Sequence, residues 1–135
     1  MVIKQIAAEQ TWELRQRVMW PDKSIDYVKL TDDLSGIHYG LYVEQELVSV
    51  ISLFINNNVI QFRKFATSSE RQGEGCSTKL LNYVVSEAEK MGTKAIWCHA
   101  RTEKVPFYRR FGLYEEGEEF ERDGKRYVKM TRSFE

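Results

Sequence analysis

Little in this chain points to chemistry built on metals, disulfides or bulk charge. Two cysteines, Cys76 and Cys98, and two histidines, His38 and His99, are all that 135 residues contain. Their spacing forms no metal-ligand cluster, and nothing in it requires a disulfide. Lys plus Arg and Asp plus Glu number 20 each, so the formal net charge is zero. That balance removes the general electrostatic case for nucleic acid or an anionic membrane, and leaves only local Arg63-Lys64 and Arg109-Arg110 pairs. Long apolar runs are also missing. The longest, around Val48 to Ile55, is too short to cross a bilayer and carries two serines. The N-terminal stretch lacks the apolar core of a signal peptide. These absences predict a cytoplasmic protein with no metal, no nucleic-acid partner and no membrane partner. No repeat, linker or low-complexity segment divides the chain, so one domain over residues 1–135 is expected, large enough for a single core.

Two phosphate-binding patterns are absent as well. No Gly-Lys-Ser/Thr follows a glycine at P-loop spacing, and Thr78 stands where a GxGxxG motif needs its third glycine. What is present is one organising stretch, Val59 to Met91. It opens as a strand through Val59, Ile60, Phe62 and Phe65 and crosses a polar turn at Thr67 to Arg71. It then enters the loop Gln72-Gly73-Glu74-Gly75-Cys76-Ser77. Leu80, Leu81, Val84, Val85, Ala88 and Met91 follow at helical spacing, with Gly92 as the C′ residue. Glycines let a ligand approach the backbone, and the first N–H groups of a helix lack internal partners and carry partial positive charge. Such a junction suits phosphate, but an ordinary strand–helix turn has the same spacing.

Around this stretch the pattern predicts a strand at Val2–Ala7 and a helix at Trp12–Trp20, capped by Thr11 and stopped by Pro21, with Leu14 and Val18 facing the core. Pro21 to Leu34, with Asp22, Asp26, Asp32 and Asp33, reads as a solvated loop or as a wall that attracts an amine. Strands follow at Ile37–Val43 and Leu47–Ile55, joined by turns at Glu44-Gln45-Glu46 and Asn56-Asn57-Asn58 as antiparallel hairpins. Lys94–Ala100 is a strand, and the strand–helix–strand unit implies a right-handed crossover and a parallel pair. Thr102 is placed to cap a short helix with Pro106 in its first turns and Gly112 beyond its end, on which Phe107 and Phe111 bury together. Leu113–Glu121 and Arg126–Arg132 form a hairpin around Asp123-Gly124.

Gln72-Gly73-Glu74-Gly75-Cys76-Ser77 resembles the Q/R-x-x-G-x-G/A signature of the GNAT family, the acetyl-CoA-dependent N-acetyltransferases. Gln72 and Gly75 match; Ser77 replaces the usual Gly or Ala and adds a hydroxyl near the phosphate site. Val105-Pro106-Phe107-Tyr108-Arg109-Arg110-Phe111-Gly112-Leu113 is similar to the family's A-x-x-F-Y-x-x-x-G-F segment. Gly117-Glu118-Glu119-Phe120, Asp123-Gly124 and Met130 resemble the closing hairpin of small bacterial members, with Tyr127 where those members often carry a histidine. The resemblance spans nearly the whole chain. It implies one α/β domain with a central mixed, mostly antiparallel sheet and helices on both faces.

The resemblance also implies roles. Amides of Gln72, Gly73, Glu74, Gly75, Cys76 and Ser77 would hold the CoA pyrophosphate. Main-chain groups of Phe65, Ala66 and Thr67 would bind the pantetheine arm and polarise the thioester carbonyl. Tyr108 would contact the cofactor and act as general acid to the sulfur, against the alternative of a tyrosine that only packs its ring. Cys76 is read as a backbone ligand of phosphate. The general base is open among His99, Glu44, Glu46, Asp22 and a water, because Val59 to Phe65 holds no acidic residue. The expected activity is acetyl transfer from acetyl-CoA to a primary amine on a small molecule or peptide. The alternative is a non-catalytic acyl-CoA-binding or regulatory module of the same fold. A homodimer stays open.

Overall fold

A computed structural model describes Met1–Glu135. The elements run β1 (Val2–Ile6), α1 (Glu9–Met19), α2 (Ile25–Val28), β2 (Ile37–Val43), β3 (Glu46–Asn56), β4 (Val59–Thr67), α3 (Cys76–Lys90), β5 (Ala95–Arg101), α4 (Val105–Arg109), β6 (Tyr114–Arg122) and β7 (Lys125–Ser133). Short 3₁₀ turns lie at Asp33–Ser35, Ser69–Arg71 and Thr102–Lys104. The strands form one mixed sheet in the order β1-β2-β3-β4-β5-β7-β6. β4 and β5 are parallel, as the crossover requires, while β1–β2, β2–β3, β5–β7 and β7–β6 are antiparallel. Three hairpins use two-residue loops with positive φ at both positions: Glu44-Gln45, Asn57-Asn58 and Asp123-Gly124. That geometry matches strand twist, and Asn, Asp and Gly tolerate it best.

The chain divides into two compact units, and β4 and α3 each contribute to both. The first holds Met1–Phe54 and Arg63–Tyr83. Its core includes Leu14, Val50 and Ala66, with Ile6, Val18, Met19 and Leu47 packed against them. Leu14 and Val18 therefore face inward, as their spacing predicts. Thr11 does not cap α1. The helix starts at Glu9, and Thr11 is buried in the first turn with its hydroxyl donating to the Ala8 carbonyl at 2.7 Å. Gln10 Oε1 instead takes the Ala7 N–H at 2.8 Å.

The acidic stretch is only partly a solvated loop. Asp22, Asp26 and Asp32 are exposed, but Asp33 is buried. Its carboxylate forms a two-pronged pair with the fully buried Arg15, Nη1–Oδ2 and Nη2–Oδ1 both at 2.9 Å. Trp12 Nε1 and the Leu30 amide also donate to Oδ2, at 3.0 and 2.9 Å. Arg15 continues to the Val28 carbonyl at 3.1 Å and Ser52 Oγ at 2.8 Å. His38 closes the network, with Nδ1 2.7 Å from Ser52 Oγ and Nε2 donating to the Asp33 carbonyl at 2.8 Å. Burial alone would raise the Asp33 carboxyl; hydrogen bonds from Arg15, Leu30 and Trp12, with the Arg15 charge, outweigh it and hold it at about 2. A carboxylate that finds an arginine fork is worth burying; its neighbour Asp32 meets only Arg63, at 3.7 Å near the surface.

The second unit holds Ile55–Phe62 and Val84–Glu135. On β5 and β7, Ile96, Cys98, Ala100, Val128 and Met130 are buried, while the alternate residues Trp97, His99, Tyr127 and Lys129 are half-buried. Val84, Val85 and Ala88 of α3 are buried, but Met91 is exposed, contrary to its spacing. The reason is the helix end. α3 stops at Lys90, and Gly92 at φ +74° turns the chain, with its N–H on the Glu89 carbonyl at 3.0 Å. Thr102 opens a 3₁₀ turn and does not cap α4, which begins at Val105 with Pro106 in its first turn. Phe107 and Phe111 pack with ring centroids 5.0 Å apart.

Candidate active site

In the first unit the site begins at a kink. Lys64 sits in β4 at φ +54°. For a residue with a side chain this conformation costs about 1–2 kcal/mol. It immediately precedes half-buried Phe65 and buried Ala66 and Thr67. The strand ends as the Ser68 amide donates to the Val48 carbonyl at 2.7 Å. After the 3₁₀ turn the chain enters Gln72–Ser77. Gly73 and Gly75 have φ of +88° and +84°, and a Cβ built on either would meet nothing within 4 Å. Side chains would be strained here, and the space beyond the backbone is open.

The loop feeds α3 directly. The first helical bond shown there is Lys79 N–H to the Gly75 carbonyl at 3.0 Å. Helix geometry therefore leaves the N–H groups of Cys76, Ser77 and Thr78 without intrahelical partners. Cys76 is buried, and Ser77 and Thr78, half-buried, are the first residues of α3 that a ligand can reach. Gln72 donates from Nε2 to the Thr67 carbonyl at 3.2 Å. Ser77 Oγ lies 2.6 Å from Thr67 Oγ1, which lies 2.8 Å from Ser49 Oγ. Two left-handed glycines, an open approach and free helix amides fit a pyrophosphate. The Ser77 hydroxyl points toward Thr67 instead of being a free group at the loop surface.

In the second unit Tyr108 occupies α4. Its ring lies 5.8 Å from that of Phe62 on β4 and 5.3 Å from that of Phe107. Burial, reinforced by Cys98, pushes its phenol well above the ordinary value, so it stays protonated across neutral pH. Cys98 is itself raised to about 12 by burial and is a neutral thiol. Parallel pairing of β4 with β5 covers Val59–Gln61 against Ala95–Trp97. His99 lies edge-on to Trp97 and Phe120, at 5.1 and 5.0 Å. Tyr127, in the place of the family histidine, stacks on Phe120 at 5.8 Å and 20°.

Thus the first unit brings together Phe65, Ala66, Thr67, Gln72, Gly73, Glu74, Gly75, Cys76 and Ser77, and the second holds Tyr108 beside Phe62 and Cys98. Among the base candidates, Glu46 pairs with Arg71 at 3.4 Å, Glu44 sits on a hairpin turn and Asp22 is exposed. Sequence reasoning missed Ser49. Its signal was legible: Ser49 and Ser52 interrupt the apolar run of β3, and a fully buried serine needs a hydrogen-bond partner.

The acetyltransferase (GNAT) domain model matches residues 15–134, and the chain belongs to that family. It is 27% identical over 131 residues to the uncharacterized N-acetyltransferase YitI of Bacillus subtilis (strain 168), covering 90% of this chain and 88% of that one. Its fold is similar to the crystal structure of Escherichia coli ElaA, with a TM-score of 0.82, 18% identity, and coverage of 98% of this chain and 99% of the other. A GNAT family acetyltransferase from Elizabethkingia anophelis, solved with acetyl-CoA bound, is similar at a TM-score of 0.77 and 16% identity, covering 98% and 97%.

Proposed function

We propose that residues 1–135 act as one domain that transfers the acetyl group of acetyl-CoA to a primary amine on a small molecule or peptide. The observation that carries this reading is the Gln72–Ser77 loop: two positive-φ glycines facing open space, leading straight into the free amides of α3. Acetyl-CoA would supply the acetyl group as a thioester, activated toward amines. The amides of Gln72–Ser77 would bind its pyrophosphate, and the Phe65–Thr67 main chain would orient the arm and polarise the carbonyl. Tyr108 would hold a proton at Oη for the sulfur as the carbon–sulfur bond breaks. The amine loses a proton as the new carbon–nitrogen bond forms, and His99, a water or one of Glu44, Glu46 and Asp22 would take it.

Incubation with acetyl-CoA and a panel of primary amines, with detection of released CoA thiol, tests the reading. Amine-dependent thiol release and an acetylated product are expected. CoA binding without turnover on any amine would instead identify an acyl-CoA-binding module.

A further inference from the structure

The phosphate loop carries a fastening that the family signature does not describe. Loops with two glycines lose much backbone entropy on ordering, so a loop that binds well must be held in advance. Here Thr67 touches both of its ends. The Thr67 carbonyl accepts from Gln72 Nε2 at 3.2 Å, and its hydroxyl meets Ser77 Oγ at 2.6 Å. Behind it, Ser49 Oγ lies 2.8 Å from Thr67 Oγ1 and donates to the Ala66 carbonyl at 3.3 Å. Ser49 and Thr67 are buried.

Proton counting orders this chain. A carbonyl can only accept, so when Ser49 donates to Ala66 it accepts from Thr67, and Thr67 accepts from Ser77. In that order the Ser77 proton points inward. What remains on Ser77 is lone pairs, which do not attract an anionic phosphate oxygen. Gly or Ala at this position could not make the bond.

We infer that Thr67 and Ser77 form a positioning pair: their hydroxyl bond presets the Gln72–Ser77 backbone for phosphate, and neither hydroxyl donates to the ligand. This rests on the proposed CoA-binding role of the loop. Both single variants, Thr67→Val and Ser77→Ala, remove the same bond. Each should weaken CoA binding by about 5–10-fold, the equivalent of one net hydrogen bond. The double variant should lose little more than either single one. Affinity for pantetheine, which has no phosphates, should not fall with them. Thr67→Ser, which keeps the hydroxyl, should restore CoA affinity to within about threefold of wild type.

The measurement is calorimetric titration of the full chain with CoA and with pantetheine, together with amide hydrogen exchange of Gly73–Ser77 in the ligand-free protein. Exchange should quicken in Thr67→Val and Ser77→Ala and return in Thr67→Ser. If Ser77→Ala weakens CoA binding while Thr67→Val does not, Ser77 is a direct phosphate donor and the inference is overturned. Equal losses for CoA and pantetheine overturn it too, since they mark a general structural role. If wild type binds no CoA, the functional reading fails; the exchange rates still decide the fastening, and unchanged rates in Thr67→Val refute it.

Discussion

Replacing Asp33 by Asn tests whether the buried pair with Arg15 holds the α1–β2 segment in place. Asp33 Oδ2 takes three donors, from Arg15, Trp12 and Leu30, and Oδ1 takes the second Arg15 prong. An asparagine can keep its oxygen at the Oδ2 position. Its NH₂ group must then face Arg15 Nη2, donor against donor, and the fully buried guanidinium loses its counter-charge. Breaking a buried pair by removing one partner costs about 3–5 kcal/mol. Unfolding entropy near 2.1 cal/mol/K per residue over 135 residues converts that into a fall in Tm of about 10–18 °C. Thermal unfolding followed by circular dichroism at pH 7 reads it directly. The pH dependence gives a second readout. Asp33 is depressed to about 2 from 3.8, so its contribution is complete above the unfolded value and is lost as pH falls through the folded one. The gap between wild type and Asp33→Asn should stay constant down to about pH 5 and narrow between about pH 4 and 2. In a double-mutant cycle, Arg15→Met and Asp33→Asn together should cost less than the sum of the two, by about 1–3 kcal/mol. A Tm change below about 3 °C, which corresponds to under about 1 kcal/mol, would refute the claim that this pair is a structural tie.

Tyr108→Phe keeps the ring against Phe62 and removes the phenolic proton, so single-turnover acetyl transfer should slow by at least about 10²-fold while CoA affinity changes little; equal rates would leave Tyr108 as packing alone. Gly75→Val meets no neighbouring atom but must adopt φ near +84°, so it should both lower stability by about 1–2 kcal/mol and abolish tight CoA binding, as urea titration and calorimetry would show. A folded variant with unchanged CoA affinity would remove the loop from the site. Cys76 and Cys98 are buried, and Cys98 is raised to about 12, so neither should react with a thiol-specific disulfide reagent at pH 8 until the chain unfolds. Rapid labelling of the native protein would show that one of the thiols is exposed.

Elements with a strong local signal were readable from residue type. The apolar spacing of Leu80, Leu81, Val84, Val85 and Ala88 determined α3, because a helix repeats its buried face at a fixed period whatever it packs against. Asp123-Gly124 and the asparagine run before Val59 determined hairpin turns, since the positive φ that such turns need is set by the residue itself. The loop signature and the Phe-Tyr segment were legible for the same reason: glycine placement is a local backbone requirement.

Other features had no local signal. Asp33 and Asp32 are adjacent identical residues, yet one is buried and the other exposed, because Arg15 from α1 arrives at only one of them. Thr11 looked like a cap until its hydroxyl was taken by Ala8, and the Ser49–Thr67–Ser77 chain joins residues 18 and 10 positions apart. Desolvation and hydrogen-bond pairing depend on what the whole chain brings within about 3 Å, and no periodicity in the sequence encodes that distance. By itself, then, the sequence determined the strands, the long helix and the hairpin turns; tertiary packing decided which polar groups were buried, and with which partners.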